Sequence, residues 1–301
     1  MKKKKKRRGR QFTIQKKLAA YRKAKGPIEF GMTVDYMFRV VLQKSKPALI
    51  GLIRSILHLN EDDIIDVIIL NPINPGEHVS DKEIRMDVRV LLNDSSILNL
   101  EMQVRNEGDW PDRSVAYLCR EFDSISVGED YDKIKSVYQI GFLDFTLFKD
   151  HPEFCARYQL RNAKDNHLYT TKLNLYVIQL NHTELATEED KLYGIDKWAE
   201  LFKAKTWEEL KMIAQNDKSM TSAAESIFLS NQDYNIRKVI IERQEHERYI
   251  DRLKTTIANK NTTISEMSNT IVDKDNTISE MSNTIRELQA RLQKYEKNSD
   301  K

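Results

Sequence analysis

Apolar residues recur at intervals of three and four over residues 33–58: Val34, Met37, Phe38, Val41 and Leu42, then Leu49, Leu52, Ile53 and Ile56. That spacing gathers them on one face and predicts helical segments, with Thr33 as the candidate N-cap and Pro47 starting a second helix or kinking the first. Over residues 64–148 the pattern becomes that of strands with one helix among them. IIDVIIL (64–70) is β-branched and closed by the turn-rich NPINPGE. EIRMDVRVLL (83–92) alternates, with Ile84, Met86, Val88 and Val90 on one face and Arg85, Asp87 and Arg89 on the other. Asn93-Asp94-Ser95-Ser96 reads as a turn, and SILNLEMQV (96–104) as the hairpin partner. A helix follows over 111–127, running to Gly128, and SVYQIGFLDFTLF (136–148) is a further strand. YQLRN and LYTTKLNLYVIQL, within 158–180, suggest another hairpin. From about 188 to 230 the pattern is helical again, anchored by Trp198, Leu201, Trp207, Leu210 and Ile213. This order predicts a mixed α/β sheet flanked by helices.

From about Asn231 onward the pattern changes once more. Ile250, Ile257, Ile264, Ile271, Ile278, Ile285 and Leu292 recur every seven residues, a heptad ladder that predicts a long helix joining a coiled coil. The stretch TISEMSNTI occurs at 263–271 and again at 277–285, an offset of two heptads, so the helix can change length in whole units. With isoleucine at a, the d positions are Leu253, Lys260, Met267, Lys274, Met281, Leu288 and Tyr295. Two lysines in the seam, and the Ser, Thr and Asn content, predict a modest coil rather than a very stable rod.

Charge sharpens the division. The formal net charge of +3 conceals an N-terminal run, MKKKKKRRGR, with eight basic residues and no acid; the remaining 291 residues hold 41 basic and 46 acidic side chains, a net of −5. Such a run repels itself and attracts polyanions, so Lys2, Lys3, Lys4, Lys5, Lys6, Arg7, Arg8 and Arg10 are either a DNA-contacting arm or a solubilising tail. No apolar run follows it, as a secretory signal would need, and no window approaches the ~18 apolar residues of a membrane span. A cytoplasmic protein is expected. Cys119 and Cys155 form no C-x-x-C pair, and the six histidines are scattered, which argues against disulfide chemistry and zinc.

The chemistry-bearing pattern lies in the first hairpin. Glu101 and Gln103 are two residues apart on one strand and share a face. Residues summing to ~188–190 pair around the turn, which sets Asp87 opposite Glu101. Two carboxylates at cross-strand distance repel, and a hard divalent cation relieves that repulsion. Bound there, it would ionise water and stabilise charge on a scissile phosphate. From spacing alone, the polar face of a half-exposed hairpin explains the pattern as well, because D-x(13)-E-x-Q is loose.

Several segments taken together resemble the recombination-promoting nuclease (Rpn) and putative transposase family of the PD-(D/E)XK superfamily. They are DYMF (35–38), IRMDVRV (84–90), LNLEMQV (98–104), DRSVAYLCREF (112–122) and VYQIGFLDFTLF (137–148), with KLNLYVIQL and the Trp198 and Asp217 stretches resembling its accessory part. The resemblance covers about residues 30–250. It implies a restriction-endonuclease-like mixed sheet flanked by helices, followed by a helical region and the C-terminal coiled-coil helix. It implies catalytic residues Asp87, Glu101 and Gln103, and a metal held by Asp87, Glu101 and the Met102 carbonyl, the metal being Mg²⁺ or Mn²⁺. Gln103 falls where the wider superfamily usually has lysine, and a neutral amide offers only hydrogen bonds to water or phosphate. A second set comprises Asp35, Arg113 and Tyr117. Asp35 matches the acid near the first helix, with a helix-start role as the alternative. Arg113 and Tyr117 match the helix after the E-x-Q strand, where they would face phosphate; a surface ion pair is the alternative for Arg113. Lys82 and Arg85 would add positive charge near the strand, or form a solvated face.

The expected organisation is a basic, disordered tail (1–25), a PD-(D/E)XK core (26–150), an accessory hairpin and helices packed on that core (151–235), and the heptad helix (236–297). The expected function is a metal-dependent DNA endonuclease of bacterial recombination, mobile elements or defence. Its partners would be DNA and a second copy bound through residues 250–295, with no membrane and no small-molecule cofactor. The alternative is a catalytically weak or inactive DNA-binding or coiled-coil interaction protein on a nuclease fold.

Overall fold

A computed structural model describes residues 18–60, 62–63, 66–70, 73–74, 84–85, 87–93, 95–123 and 130–299, with side chains to residue 292. The basic run at 2–10, Lys82, Met86, Asp94, Gly128 and the Arg85 side chain lie outside the described residues. The chain divides into two compact units, residues 1–240 and 241–301.

In the first unit, two helices, α1 (Asp35–Lys44) and α2 (Lys46–Leu57), precede the strands. The expected Thr33 cap is displaced. Val34 holds the extended cap position without a side-chain bond, and Asp35 itself accepts the Tyr36 N–H. Pro47 does open a second helix, and Ser45 caps it by accepting the Ala48 N–H at 3.3 Å.

Strands β1 (Val67–Ile69), β4 (Val88–Leu92), β5 (Ile97–Gln103), β6 (Val137–Leu143), β7 (Cys155–Gln159) and β8 (Leu173–Gln179) form one six-stranded sheet in the order β1-β4-β5-β6-β8-β7. The pairs β1–β4, β4–β5 and β7–β8 are antiparallel, whereas β5–β6 and β6–β8 are parallel. A separate two-stranded ladder joins β2 (Ile73–Asn74) to β3 (Ile84–Arg85), so the single strand expected over 83–92 is divided between two sheets. The hairpin expected to pack on the core as an accessory is instead the sheet's continuation, because β8 pairs directly with β6. The strand expected over 136–148 ends at Leu143. Beyond it, Gln179, the last residue of β8, accepts the Leu147 N–H at 2.7 Å and donates to the Glu153 carbonyl at 2.7 Å, tying both loop positions to the end of that strand.

The two faces of the sheet are covered differently. Leu98, Leu100, Met102, Ile140, Phe142 and Ile178 join the main core with α1, α2 and the later helices. Those helices are α4 (Glu188–Tyr193), α5 (Ile195–Lys203), α6 (Trp207–Ala214) and α7 (Lys218–Asn231). Phe38 of α1 meets Phe142 of β6 at 5.5 Å and Phe202 of α5 at 5.7 Å, joining three layers through aromatic contacts. The other face lies under α3 (Trp110–Phe122), where Trp110, Leu143, Ala156 and Val177 make a smaller cluster.

Residues 18–23, placed in the tail by composition, are helical; Tyr21 is buried against Phe228 at 5.5 Å and Trp207 at 6.5 Å. Asn231 pins the same region, accepting the Phe30 N–H at 3.1 Å and donating to the Phe30 carbonyl at 2.9 Å.

The last helix, α8 (Tyr234–Ser299), is 66 residues long. Its first turns bury Ile236 and Ile240 in the first unit's core. Within the second unit the a-position side chains from Ile257 to Leu292 are 53–63% exposed, forming an apolar stripe. Thr262, Thr270, Thr277 and Thr284 each donate to the carbonyl four residues earlier, which satisfies their hydroxyls within the helix. No helix among the described residues is long and apolar enough to cross a membrane.

Candidate active site

The β4–β5 register pairs Val88 with Leu100 and Arg89 with Asn99. Extended by one residue, it sets Asp87 beside Glu101, and Asp87 Oδ2 accepts the Met102 N–H at 3.0 Å. A half-exposed hairpin does not describe this face. Asn99 is fully buried and Glu101 is 8% exposed, because α3 covers the side of β4 and β5 that alternation alone would give to water.

Beneath α3 the contacts are polar. Arg89 of β4 donates to Glu121 of α3 at 2.7 and 2.9 Å. Asn99 donates to Gln139 Oε1 at 2.7 Å, and Gln139 in turn donates to Glu101 Oε2 at 3.4 Å. Arg113 Nη2 reaches Glu101 Oε1 at 3.2 Å and Gln103 Oε1 at 2.7 Å, while Gln103 Nε2 donates to the Arg105 carbonyl at 2.9 Å. The Arg113 guanidinium lies 5.4 Å from the Trp110 ring centroid, with Asp109 at 3.9 Å. Its side chain is only 22% exposed, so a surface ion pair is not its role.

Gly141 makes this stacking fit. A Cβ at that position would lie 2.0 Å from the Trp110 indole, so the ring rests directly on the backbone of β6 beside Glu101. Gly141→Ala should therefore cost about 1–3 kcal/mol through overpacking, read as a lower urea midpoint with the m-value unchanged. An unchanged midpoint would mean that Trp110 can leave its seat freely.

Burial pushes the Glu101 carboxyl up to about 7. Arg113 opposes that shift, Asp87 adds to it, and Gln139 and Asp109 contribute less. Burial and the Glu101 charge likewise raise the Tyr117 hydroxyl above its ordinary range. The site thus gathers Asp87, Glu101, Gln103, Arg113 and Tyr117. Asp35 is not among the charges that shift Glu101, and its carboxylate accepts the Tyr36 N–H in the first turn of α1. Four neighbours were not singled out from sequence: Asp109, Trp110, Gln139 and Gly141. The signal for two of them was available, since Gln139 and Gly141 interrupt an otherwise apolar strand.

No group of three His, Cys, Asp or Glu residues suited to a metal occurs among the described residues. A cation here would draw on two carboxylates, with main-chain oxygen, water and phosphate completing its shell. That all-oxygen set fits a hard divalent ion, and an acid held toward protonation by burial and by Asp87 is one that a cation would relieve.

A family profile described as PD-(D/E)XK nuclease family transposase matches residues 32–254. The chain belongs to this family. No curated protein and no solved structure matches it. PD-(D/E)XK nuclease transposases act on DNA and generally use divalent metal ions, and the mixed sheet flanked by helices agrees with their α/β fold. The matched span holds every residue of the candidate site. It contains neither the basic run at 2–10 nor the duplicated units at 263–285.

Proposed function

We propose that this protein is a metal-dependent DNA endonuclease, using Mg²⁺ or Mn²⁺, that acts in the cytoplasm in bacterial recombination, mobile-element movement or defence. The observation that carries this reading is the Asp87–Glu101 carboxylate pair, in which Asp87 is half-buried and Glu101 is buried under α3 and held toward protonation. A site so costly without a cation is suited to holding one. Asp87, Glu101 and the Met102 carbonyl are the proposed ligands, and Asp87, Glu101 and Gln103 the proposed catalytic residues. When bound, the metal supplies Lewis-acid stabilisation of the phosphate and a water of lowered pKa. The protein's part is positioning. The Met102 N–H fixes the Asp87 carboxylate, Gln139 orients Glu101, and α3 keeps bulk water from their buried side.

Purified protein should convert supercoiled plasmid to nicked and linear forms with Mg²⁺ or Mn²⁺ and not with EDTA, and Asp87→Ala should lose that activity while keeping its circular dichroism. Equal nicking by Asp87→Ala would remove the catalytic assignment. A second reading, a weak or inactive nuclease fold that binds DNA, draws on the neutral Gln103, whose amide is already engaged by Arg105 and Arg113. Under that reading DNA is bound and stays intact.

Two further parts belong to the proposal. Residues 250–295 pair with a second copy, and the cations of residues 2–10 contact the DNA backbone. Deleting residues 1–10 should weaken binding and flatten the dependence of log K on log salt, since fewer counterions are released. An unchanged slope would leave the run as a solubilising tail.

A further inference from the structure

Hydrolysis of a phosphodiester forms one bond from a water oxygen to phosphorus and breaks one to the leaving oxygen; the water gives up a proton and the leaving oxygen acquires one. Negative charge accumulates meanwhile on the non-bridging and leaving oxygens, and a preorganised cation there lowers the barrier. Asp87, Glu101 and Gln103 bring two carboxylates and an amide to this site, and the nearby Arg89 of β4 is committed to Glu121. The cation that touches them comes from α3. Arg113 Nη2 lies 2.7 Å from Gln103 Oε1 and 3.2 Å from Glu101 Oε1.

The residue at 103 is matched to this task. A carboxylate there would neutralise the guanidinium, and a lysine would repel it. An amide oxygen holds the fork by a hydrogen bond without adding another carboxylate beside Glu101 and Asp109. Trp110 supports the guanidinium from beneath, seated on Gly141. The Arg113 Nε is buried with no acceptor among the described residues, so stacking on Trp110 and the contacts of the two Nη atoms fix the group.

We propose that Arg113 is a further catalytic residue, supplying at the scissile phosphate a positive charge that Asp87, Glu101 and Gln103 do not carry, and that the Gln103 amide oxygen also positions it. The proposal rests on the nuclease reading above and goes further, in assigning the electrostatic work to a helix residue. A purely structural counter-ion to Glu101 would predict different behaviour when the charge is moved.

The test moves it. In Arg113→Gln the cleavage rate at saturating plasmid should fall about 100-fold. Introducing Gln103→Lys into that background returns a cation to within a few ångströms and should recover at least about tenfold of the loss. Independently of cleavage, the slope of log K against log salt for a DNA duplex in EDTA should be shallower by about one in Arg113→Gln, as expected when one fewer phosphate is neutralised. The proposal is overturned if that slope is unchanged, if Arg113→Gln cleaves within threefold of wild type, or if the double variant is no faster than the single. Should Arg113→Gln not fold, Gln103→Leu leaves the Arg113–Glu101 pair in place and removes the anchor together with the Gln103 bond to the Arg105 carbonyl. Its rate should fall at least about tenfold with KM unchanged, and a wild-type rate would overturn the positioning role. A wild-type protein that cuts nothing with either metal sinks the nuclease reading instead, and the salt slope in EDTA still reports whether Arg113 meets phosphate.

Discussion

At pH 8 and without metal, Glu101→Gln is expected to melt above the wild type and to have lost metal-dependent cleavage. Both effects follow from burying the Glu101 carboxyl beside Asp87. Its folded pKa, about 7, is raised above the ordinary 4.5, chiefly by burial. The neutral carboxyl is therefore the form that the fold favours. The associated stability is fully present below about pH 4.5 and is lost as pH rises through about 7. Full ionisation removes on the order of 3 kcal/mol from this group alone. In a unit of this size that corresponds to roughly 5–10 °C in Tm. Glutamine has no proton to lose, so the variant should hold its Tm across this window while the wild type declines. Adding Mn²⁺ should raise the wild-type Tm at pH 8 and leave the variant's unchanged, because binding to the folded state alone stabilises it. A variant melting at or below the wild type at pH 8 would show that Glu101 is not destabilised by its surroundings.

The second large effect concerns assembly. Ending the chain after Arg243 should convert a concentration-dependent dimer to a monomer and reduce double-strand breaks more than nicks. The cut must spare Ile236 and Ile240, which are 6% and 1% exposed in the core of the first unit. Beyond it, the stripe from Ile257 to Leu292 leaves more than half of each a-position side chain in water. Pairing would remove about 1.5–3 kcal/mol of exposure per fully buried side chain. Lys260 and Lys274 in the d row oppose this, so the dimer should be weak and its weight-average mass should fall on dilution. Two-fold pairing brings two copies of the Asp87 site to one duplex, which is why linearisation should suffer more than nicking. Sedimentation at matched concentrations is the measurement. If both chains run as monomers, or both as dimers, the heptad helix does not assemble this nuclease.

Much of this arrangement was legible in the amino-acid order, and the exceptions have physical causes. The hairpin register followed from the turn at 93–96, because a period of two leaves little freedom once one face carries Val88 and Val90. The helices followed from their apolar spacing. What alternation could not reveal was the second cover. Arg89, Asn99 and Glu101 look like a solvated face until α3 is laid across them, and their partners Glu121, Gln139 and Arg113 arrive from 12 to 40 residues away. The burial of Arg113 was similarly hidden, since an arginine on an amphipathic helix is ordinarily a surface group. Its burial depends on Gly141 admitting Trp110, a contact between elements 31 residues apart. Hairpin β7–β8 appeared to be an accessory because parallel pairing with β6 leaves no turn signal in the sequence.

The pinning of Phe30 by Asn231 bears on the order of events at the ribosome. These two residues are 201 positions apart, and Tyr21 likewise waits for Trp207 and Phe228. β6, the parallel neighbour of β5, completes its own pairing only when residues 173–179 have been made. Asp87, Glu101 and their neighbours Arg113, Gln139 and Gly141 thus emerge early, but the main core on the sheet's other face closes only after more than two thirds of the chain has been synthesised. Chains stalled or cleaved before Asn231 carry the acidic residues without the completed fold, so partial products of translation are expected to be harmless to nearby DNA.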